Sequence, residues 1–236
     1  MKAAIMQPYF FPYLGYFSLI KHTDLFILFD PVQFIRHGWI ERNRILKQNN
    51  GWLYIQIPIS NKGRDVVIQD LLIDNSQDWR KKIIAQLQPY KKIAPHYFKV
   101  IKLVEGLLAK DYHSIVELNY ETLKCICNYL GIEKEIKIFS QMDLVIDEVN
   151  APDEWALNIC KAVGNISEYW NPPGGESFFD KAKYTAAGLE LKFQSVTLSP
   201  YNQKRESFEA GLSILDVIMF NTPEEVNIML DNFQLK

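Results

Sequence analysis

The sequence predicts an α/β protein with a Rossmann-like parallel sheet, flanking helices and a central helical insertion. Two short apolar runs, at residues 3–6 and 25–29, enclose one helical stretch at 16–22. Two strands joined by a single helix are typical of a right-handed βαβ unit. The second run is apolar throughout, which indicates a strand covered on both faces. From residue 78 to 131 the periodicity is helical, and strands resume after that stretch.

The first elements follow from local signals. The first helix begins just after Gly15, and residues 31–50 are interpreted as a polar loop. A third strand is predicted at 52–59, broken by Pro58, and a short strand or strand pair at 66–73.

Three helices are predicted in the central stretch, at 78–88, 95–109 and 113–130. The last ends at Gly131, which suits a left-handed C-cap. The remaining elements are predicted in this order: a strand at 136–140, a helix at 152–163, strands at 166–170 and 189–196, and helices at 213–220 and 223–232. No linker or repeat divides the chain. We therefore expect one α/β domain over 1–236, with 78–131 as a candidate helical subdomain.

The composition excludes several classes of protein. The chain has 236 residues, 48% of them hydrophobic, and a formal net charge of −2. Such a charge gives no global attraction to nucleic acid or anionic membranes, so neither is an expected partner. No apolar run approaches the roughly 20 residues of a membrane span. The three cysteines (Cys125, Cys127 and Cys160) lack the spacing of a disulfide framework or a zinc site, which predicts reduced thiols, a cytoplasmic location and no metal.

A first candidate site lies between the first strand and the first helix, at residues 7–20. Its prolines and Gly15 set a turn, and the free N–H groups of the helix start then face whatever binds above the sheet. A phosphate is the natural occupant, and Gln7, Tyr13 and Tyr16 are the candidate binding residues of this segment. The alternative is a proline-stiffened turn whose rings only pack on the core.

A second cluster of polar and aromatic residues follows the second strand, where an open α/β sheet places its ligand pocket. Arginine suits phosphate or carboxylate, histidine can move a proton, and tryptophan offers a face for stacking. Each of these residues alone is more often a solvated surface group than a ligand contact. Together they predict a small-molecule binding site with these members: Asp30, Gln33, Arg36, His37, Trp39, Arg42, Asn43 and Arg44.

Two later segments are further candidates. Gly174 and Gly175 follow a predicted strand, and paired glycines let a backbone approach a ligand closely, although a structural turn explains them equally well. Tyr201 and Gln203 lie just beyond another strand. Asp216 interrupts an apolar helix, so its carboxylate must face solvent or be paired. We expect a cap or loop contact for it rather than catalysis.

Five segments make the chain similar to the WbqC-like family. They are MQPYFFPYLGYF at 6–17, FDPVQF at 29–34, GWIERN at 38–43, PYNQ at 200–203 and LSILD at 212–216. The resemblance touches both ends of the chain. It implies a bacterial protein encoded among genes for O-antigen and other surface polysaccharides. It also implies a role in transferring an acyl or aminoacyl group to an amino sugar.

The first two strands and their motifs also resemble the layout of pantothenate synthetase and related nucleotidyl transferases. That resemblance implies that Gln33 holds substrate, and that Tyr13 and Tyr16 stand at the phosphate-facing positions where those enzymes carry histidines. A phenol can donate a hydrogen bond to phosphate but carries no positive charge near neutral pH. ATP is therefore a candidate cofactor, although the two imidazoles that adenylyl transfer uses in that family are missing.

These observations predict a transferase or ligase that attaches an acyl or aminoacyl group to a nucleotide-linked amino sugar. In this hypothesis Trp39 orients the substrate, and Arg36 and Arg42 hold its phosphates. The catalytic residue that moves the proton is His37 or Asp30. The alternative is a non-catalytic sugar- or nucleotide-binding module that serves a partner enzyme. The sequence leaves the oligomeric state open.

Overall fold

The predicted α/β fold is confirmed in the computed structural model, which describes residues 1–61, 63 and 65–236. Within these residues, six strands form one mostly parallel sheet and two form a separate antiparallel hairpin. The strands are β1 (Lys2–Met6), β2 (Leu25–Leu28), β3 (Arg42–Leu46), β4 (Trp52–Gln56), β5 (Glu135–Ile138), β6 (Glu168–Asn171), β7 (Glu190–Val196) and β8 (Phe233–Leu235).

The order of strands in the large sheet is β5-β2-β1-β6-β7-β8. β1 pairs in parallel with β2 on one side and with β6 on the other, β5 and β7 extend the sheet in parallel, and β8 closes one edge antiparallel to β7. In chain order the sheet first grows from β1 to β5 and then restarts at β6, on the other side of β1. The carboxyl ends of β1 and β6 therefore form the topological switch point, where open α/β sheets bind ligands.

Helices cover both faces of the sheet. They are α1 (Leu14–His22), α2 (Trp79–Leu87), α3 (Tyr97–Leu108), α4 (Ile115–Leu130), α5 (Glu154–Val163), α6 (Lys181–Ala186), α7 (Ile214–Phe220) and α8 (Pro223–Leu230). Alternate residues of β1 enter two hydrophobic clusters, as the two-residue period of a strand requires. Ala4 packs in the cluster that contains α1 and α8, whereas Ala3 and Ile5 pack with residues of α5 and α6.

The central helices α2, α3 and α4 share one hydrophobic cluster with Phe26 and Leu28 of the sheet. The side chain of Ser114 caps the start of α4, and Gly131 ends it with a φ of 69°, which confirms the predicted C-cap. The description of 78–131 as a subdomain of its own stays a prediction. Among the described helices, none combines the length and the apolar character needed to cross a bilayer.

The structure departs from the sequence prediction in three places. Part of the predicted loop at 31–50 is strand β3, which pairs with β4 so that Arg44 stands opposite Tyr54. The predicted strand or strand pair at 66–73 is a 3-10 turn at Ile68–Asp70 flanked by isolated bridges. The short elements α6 and β8 were not predicted. β8 exists because it pairs with β7, and such pairing leaves little trace in three residues of local sequence.

Candidate functional site

A cavity of about 730 Å³ lies at the switch point of the sheet. Gln7 follows β1, Phe29 follows β2 and Asn171 ends β6, and all three line the cavity. A volume of this size is typical of small-molecule sites. The structure therefore offers a pocket above the carboxyl ends of the strands, where the sequence motifs begin.

Helix α1 begins at this cavity, and the ring of Tyr13 lies over its first turn. A Cβ on Gly15 would stand 2.5 Å from Cζ and from the hydroxyl of Tyr13, so glycine leaves room for the ring. Tyr16 is fully buried, and its phenol donates a hydrogen bond to the Gln7 carbonyl at 2.8 Å. Tyr13 thus lines the cavity, Gly15 leaves room for the Tyr13 ring, and Tyr16 holds the backbone that carries Gln7.

We expect Gly15→Ala to destabilise the protein by about 1–2 kcal/mol, because the new methyl group overlaps the Tyr13 ring. In a Tyr13→Ala background the same change should stabilise it by about 0.5 kcal/mol, since alanine favours a helix over glycine. Denaturant unfolding of the four proteins of this double-mutant cycle measures the coupling. The same sign in both backgrounds would contradict the contact between ring and glycine.

The turn between β1 and α1 is held from two sides. Asn43 Nδ2 donates to the carbonyls of Phe10 at 3.1 Å and Phe11 at 3.0 Å, and Ser213 Oγ donates to the Phe11 carbonyl at 2.8 Å. Phe11 has a φ of 40°, a strained conformation that depends on such support. Asn43 borders the cavity, but its amide hydrogens are engaged in holding this turn.

Arg44 supplies positive charge to the cavity. Its guanidinium lies between the rings of Trp39 and Trp52, at 5.5 and 5.2 Å from their centroids, and Nη2 donates to the Gly211 carbonyl at 3.1 Å. Its Nε is buried and has no hydrogen-bond partner among the described residues. Of the described side chains that line the cavity, Arg44 is the only charged one. A guanidinium held by ring faces and one carbonyl keeps donors for an anionic ligand.

Arg42, predicted to bind phosphate, is not among the described residues that line the cavity. Its guanidinium stacks over Tyr54 at 4.0 Å from the ring centroid and donates to the carbonyls of His37 and Gly38. Arg42 therefore holds the loop that precedes β3. His37 is exposed on this loop, two residues from Trp39, and has a φ of 65°. It is also not among the described residues that line the cavity.

Asp30, the other predicted catalytic residue, is fully buried beside the segment that follows β5. The Ser140 N–H donates to Oδ1 at 3.0 Å, and the Ser140 hydroxyl donates to Oδ2 at 2.5 Å. Burial raises the pKa of the Asp30 carboxyl, while the hydrogen bonds from Ser140 lower it. Asp30 ties the end of β2 to the 3-10 turn Phe139–Gln141 and does not border the cavity.

Tyr201 and Gln203 surround the buried carboxylate of Asp216 rather than the cavity. The phenols of Tyr90, at 2.6 Å, and Tyr201 donate to this carboxylate, and Gln203 Nε2 donates to it at 2.9 Å. Burial raises the pKa of Asp216, against these hydrogen bonds. The carboxylate is thus paired inside the fold, as its place in an apolar helix required.

The segment after β6 forms another wall of the cavity, to which Gly174 and Gly175 contribute. A Cβ on Gly175 would stand 2.6 Å from Asn171 Nδ2, so close packing requires this glycine. Phe178 stacks on Phe179 with 4.5 Å between the ring centroids, and 53% of Phe178 is exposed. This wall therefore presents an aromatic face at the mouth of the cavity.

A second cavity of about 550 Å³ adjoins the first. We term it the outer chamber and the first cavity the inner chamber. Gln33 lines the outer chamber, whereas Arg36 is exposed and lines neither. Six residues line both chambers: Gln7, Phe29, Ile35, Pro152, Trp155 and Phe178.

The lining residues that the sequence analysis did not assign to the site include Tyr9, Trp155, Asn171 and Phe178. All but Trp155 lie within or beside the motifs described from the sequence. Burial raises the pKa of both Tyr9 and Tyr13, so these phenols remain protonated hydrogen-bond donors near neutral pH. Over the part of the chain that the structure describes, no three His, Cys, Asp or Glu side chains gather as a metal ion would need.

Comparison with known proteins places the chain in a family. It is 30% identical over 227 residues to the "Uncharacterized protein Rv1507c" of Mycobacterium tuberculosis, and the match covers 95% of each chain. No solved structure matches the chain. The family model described as "WbqC-like protein family" matches residues 7–228, nearly the whole length. The resemblance to this family is therefore confirmed, and the chain belongs to the WbqC-like protein family.

Proposed function

We propose that this chain binds a nucleotide-linked amino sugar in the inner chamber and attaches an acyl or aminoacyl group to it during synthesis of surface polysaccharide. The observation that carries the proposal is the position of Arg44. It places a guanidinium, whose Nε has no hydrogen-bond partner among the described residues, in the wall of a cavity at the switch point of a Rossmann-like sheet. A phosphate is the ligand group that such a site suits best.

The rest of the inner chamber suits the other parts of this ligand. Trp39 and Trp155 offer ring faces on which a base or sugar can stack. Gln7 and Tyr13 offer polar groups for sugar hydroxyls. Few polar groups in a mostly apolar cavity are typical of small-molecule sites, because the polar groups fix orientation while apolar contact adds affinity.

The proposed chemistry needs positioning more than a covalent nucleophile. The amine nitrogen of the sugar attacks the carbonyl carbon of an activated acyl donor. The new C–N bond forms, the bond to the leaving group breaks, and the amine proton passes to a base. Holding both reactants in place can supply much of the rate. We keep His37 as the candidate base because it shares a loop with Trp39, and we leave out Asp30 because its carboxylate is buried against Ser140.

The second candidate function is a binding module that serves a partner enzyme. One observation favours it: the described residues that line the inner chamber include no His, Cys, Asp or Glu. General acids, bases and nucleophiles usually come from these residue types. Under this reading the chamber holds the nucleotide sugar and another protein supplies the reactive groups.

Calorimetry and mass spectrometry test the two functions in sequence. UDP and UDP-glucosamine should bind the full chain and raise its melting temperature, and uridine should bind more weakly because it lacks phosphate. UDP-glucosamine is then incubated with the protein, ATP and glycine, or with a short acyl thioester. A new covalent product supports the enzyme, whereas binding without turnover supports the module. Equal affinity for UDP and uridine would contradict phosphate binding in both functions.

A further inference from the structure

We propose that the outer chamber is a second binding compartment, which takes an uncharged acyl group while the inner chamber holds the anionic ligand. The inference rests on the proposed function for what the group does there. It deepens that function, because it selects a neutral acyl group over a charged amino acid as the group transferred.

The lining of the outer chamber carries the inference. Its described residues are apolar or carry neutral amides: Gln7, Phe29, Val32, Gln33, Ile35, Val149, Asn150, Ala151, Pro152, Trp155 and Phe178. None of them is charged. A carboxylate or ammonium group placed there would lose water without gaining an opposite charge. An acyl chain gains from the same surface, since apolar contact is favourable and the side-chain amide of Gln7 can donate to its carbonyl oxygen.

Hydrogen bonds fix one wall of the outer chamber, which is formed by the segment before α5. Asn158 Nδ2 donates to the carbonyls of Asp147 at 3.2 Å and Glu148 at 3.1 Å. The carboxylate of Glu154 accepts from the N–H groups of Asn150 at 2.8 Å and Ala151 at 3.2 Å. Helix α5 thus holds the segment that carries Val149 in one position. A chamber with a fixed wall can select its ligand by shape and charge.

Two acidic residues precede this wall along the chain. Asp147 and Glu148 immediately precede Val149; Asp147 is paired with Lys161, and Glu148 is exposed. The acidic side chains on this segment would repel an anionic ligand in the outer chamber, whereas they would not repel a neutral one. Among the described lining residues, Arg44 brings a cation to the inner chamber, whereas no charged side chain lines the outer one, so the two chambers sort ligands by charge.

The shared wall brings the two occupants together. Gln7 and Trp155 border both chambers, and Phe178 and Ile35 do so at the exposed mouth. A ligand in either chamber therefore touches the same side chains. Binding on both sides of Gln7 would place an acyl carbonyl next to the group held in the inner chamber, as transfer between them requires.

Three probes of matched size test the charge selection in the full-length protein by saturation-transfer NMR: hexanamide, hexanoate and 6-aminohexanamide. We expect hexanamide to bind, and each charged analogue to bind at least about tenfold more weakly. UDP serves as the probe of the inner chamber and should still bind in the presence of hexanamide.

Val149→Arg places a cation in the outer chamber. We expect it to weaken hexanamide at least about tenfold and to strengthen hexanoate, with UDP affinity unchanged. Val145→Arg is the matched control, because Val145 is on the same segment but 94% exposed and lines neither chamber. The control should leave all three affinities unchanged.

The outcomes separate the two proposals. Wild-type protein that binds hexanoate as tightly as hexanamide overturns the charge selection, and so does a Val149→Arg protein that binds hexanamide unchanged. Competition between UDP and hexanamide overturns the two-compartment arrangement. A protein that shows the expected hexanamide pattern but no affinity for UDP retains the second compartment and contradicts the proposed function alone.

Discussion

Replacing Asp216 with alanine is expected to destabilise the protein by about 3–5 kcal/mol. The change removes the acceptor for the phenols of Tyr90 and Tyr201, which are left without an acceptor inside the fold, and it removes one of the acceptors of the Gln203 amide. Unsatisfied groups cost more than a hydrogen bond contributes when it is made. Urea unfolding followed by circular dichroism measures the loss.

Two variants check this assignment. Asp143→Ala removes an exposed carboxylate and should change the free energy of unfolding by less than about 0.5 kcal/mol. Asp216→Asn keeps the shape and one oxygen acceptor, so it should lose less than Asp216→Ala. A loss in Asp216→Ala no larger than in Asp143→Ala would show that the network does not support the fold.

The contribution of the Asp216 carboxyl to the free energy of unfolding is expected to depend on pH. Burial raises the pKa of Asp216 above its ordinary 3.8. A carboxyl whose pKa is higher in the folded state contributes stability that is full below the unfolded pKa and is lost as pH rises through the folded pKa. The stability of the wild type relative to Asp216→Asn should therefore increase as pH falls from neutral towards about 4.

Arg44→Gln should weaken the binding of UDP by roughly tenfold to a hundredfold while the protein stays folded. The reason is the loss of about 1.5–3 kcal/mol, the usual contribution of a hydrogen bond to a charged group. Glutamine keeps a donor for the Gly211 carbonyl but carries no charge. Arg44→Lys keeps the charge without the fork of donors, so its affinity should lie between the two. Isothermal titration calorimetry gives the three affinities.

Lys47→Gln is the matched control for Arg44→Gln. It removes one positive charge from the same hairpin, at an exposed position outside the inner chamber. Its affinity for UDP should equal that of the wild type. A loss as large as that of Arg44→Gln would mean that the overall charge of the hairpin acts on UDP, rather than a contact from the guanidinium of Arg44.

Hydrogen bonds connect the network around Asp216 to the segment that positions Arg44. Gln203 exchanges two hydrogen bonds with the Glu209 backbone, at 2.8 and 3.1 Å, and so shapes the loop that ends at Gly211. The Gly211 carbonyl then accepts from Arg44. Gln203, predicted from the sequence to touch substrate, lies in this support behind the cavity.

Local sequence patterns were enough to predict the strands and the helix that surround the site. The apolar runs of β1 and β2, the helix between them and the glycine cap at Gly131 are determined by residues a few positions apart. Because parallel strands carry ligands at their carboxyl ends, the frame also indicated where the cavity lies. Gln7, Tyr13 and Trp39 line it for that reason.

Which polar side chains enter the cavity was decided by the tertiary structure alone. Arg42 and Arg44 stand two residues apart on the same face of β3, a strand that exists through its pairing with β4. The guanidinium of Arg42 contacts Tyr54 and the loop carbonyls, whereas that of Arg44 contacts two tryptophans at the cavity. The sequence by itself determined that cations would be near the pocket. It did not determine which one lines the cavity, because that depends on the pairing of β3 with β4 and on the Gly211 carbonyl that folding brings to Arg44.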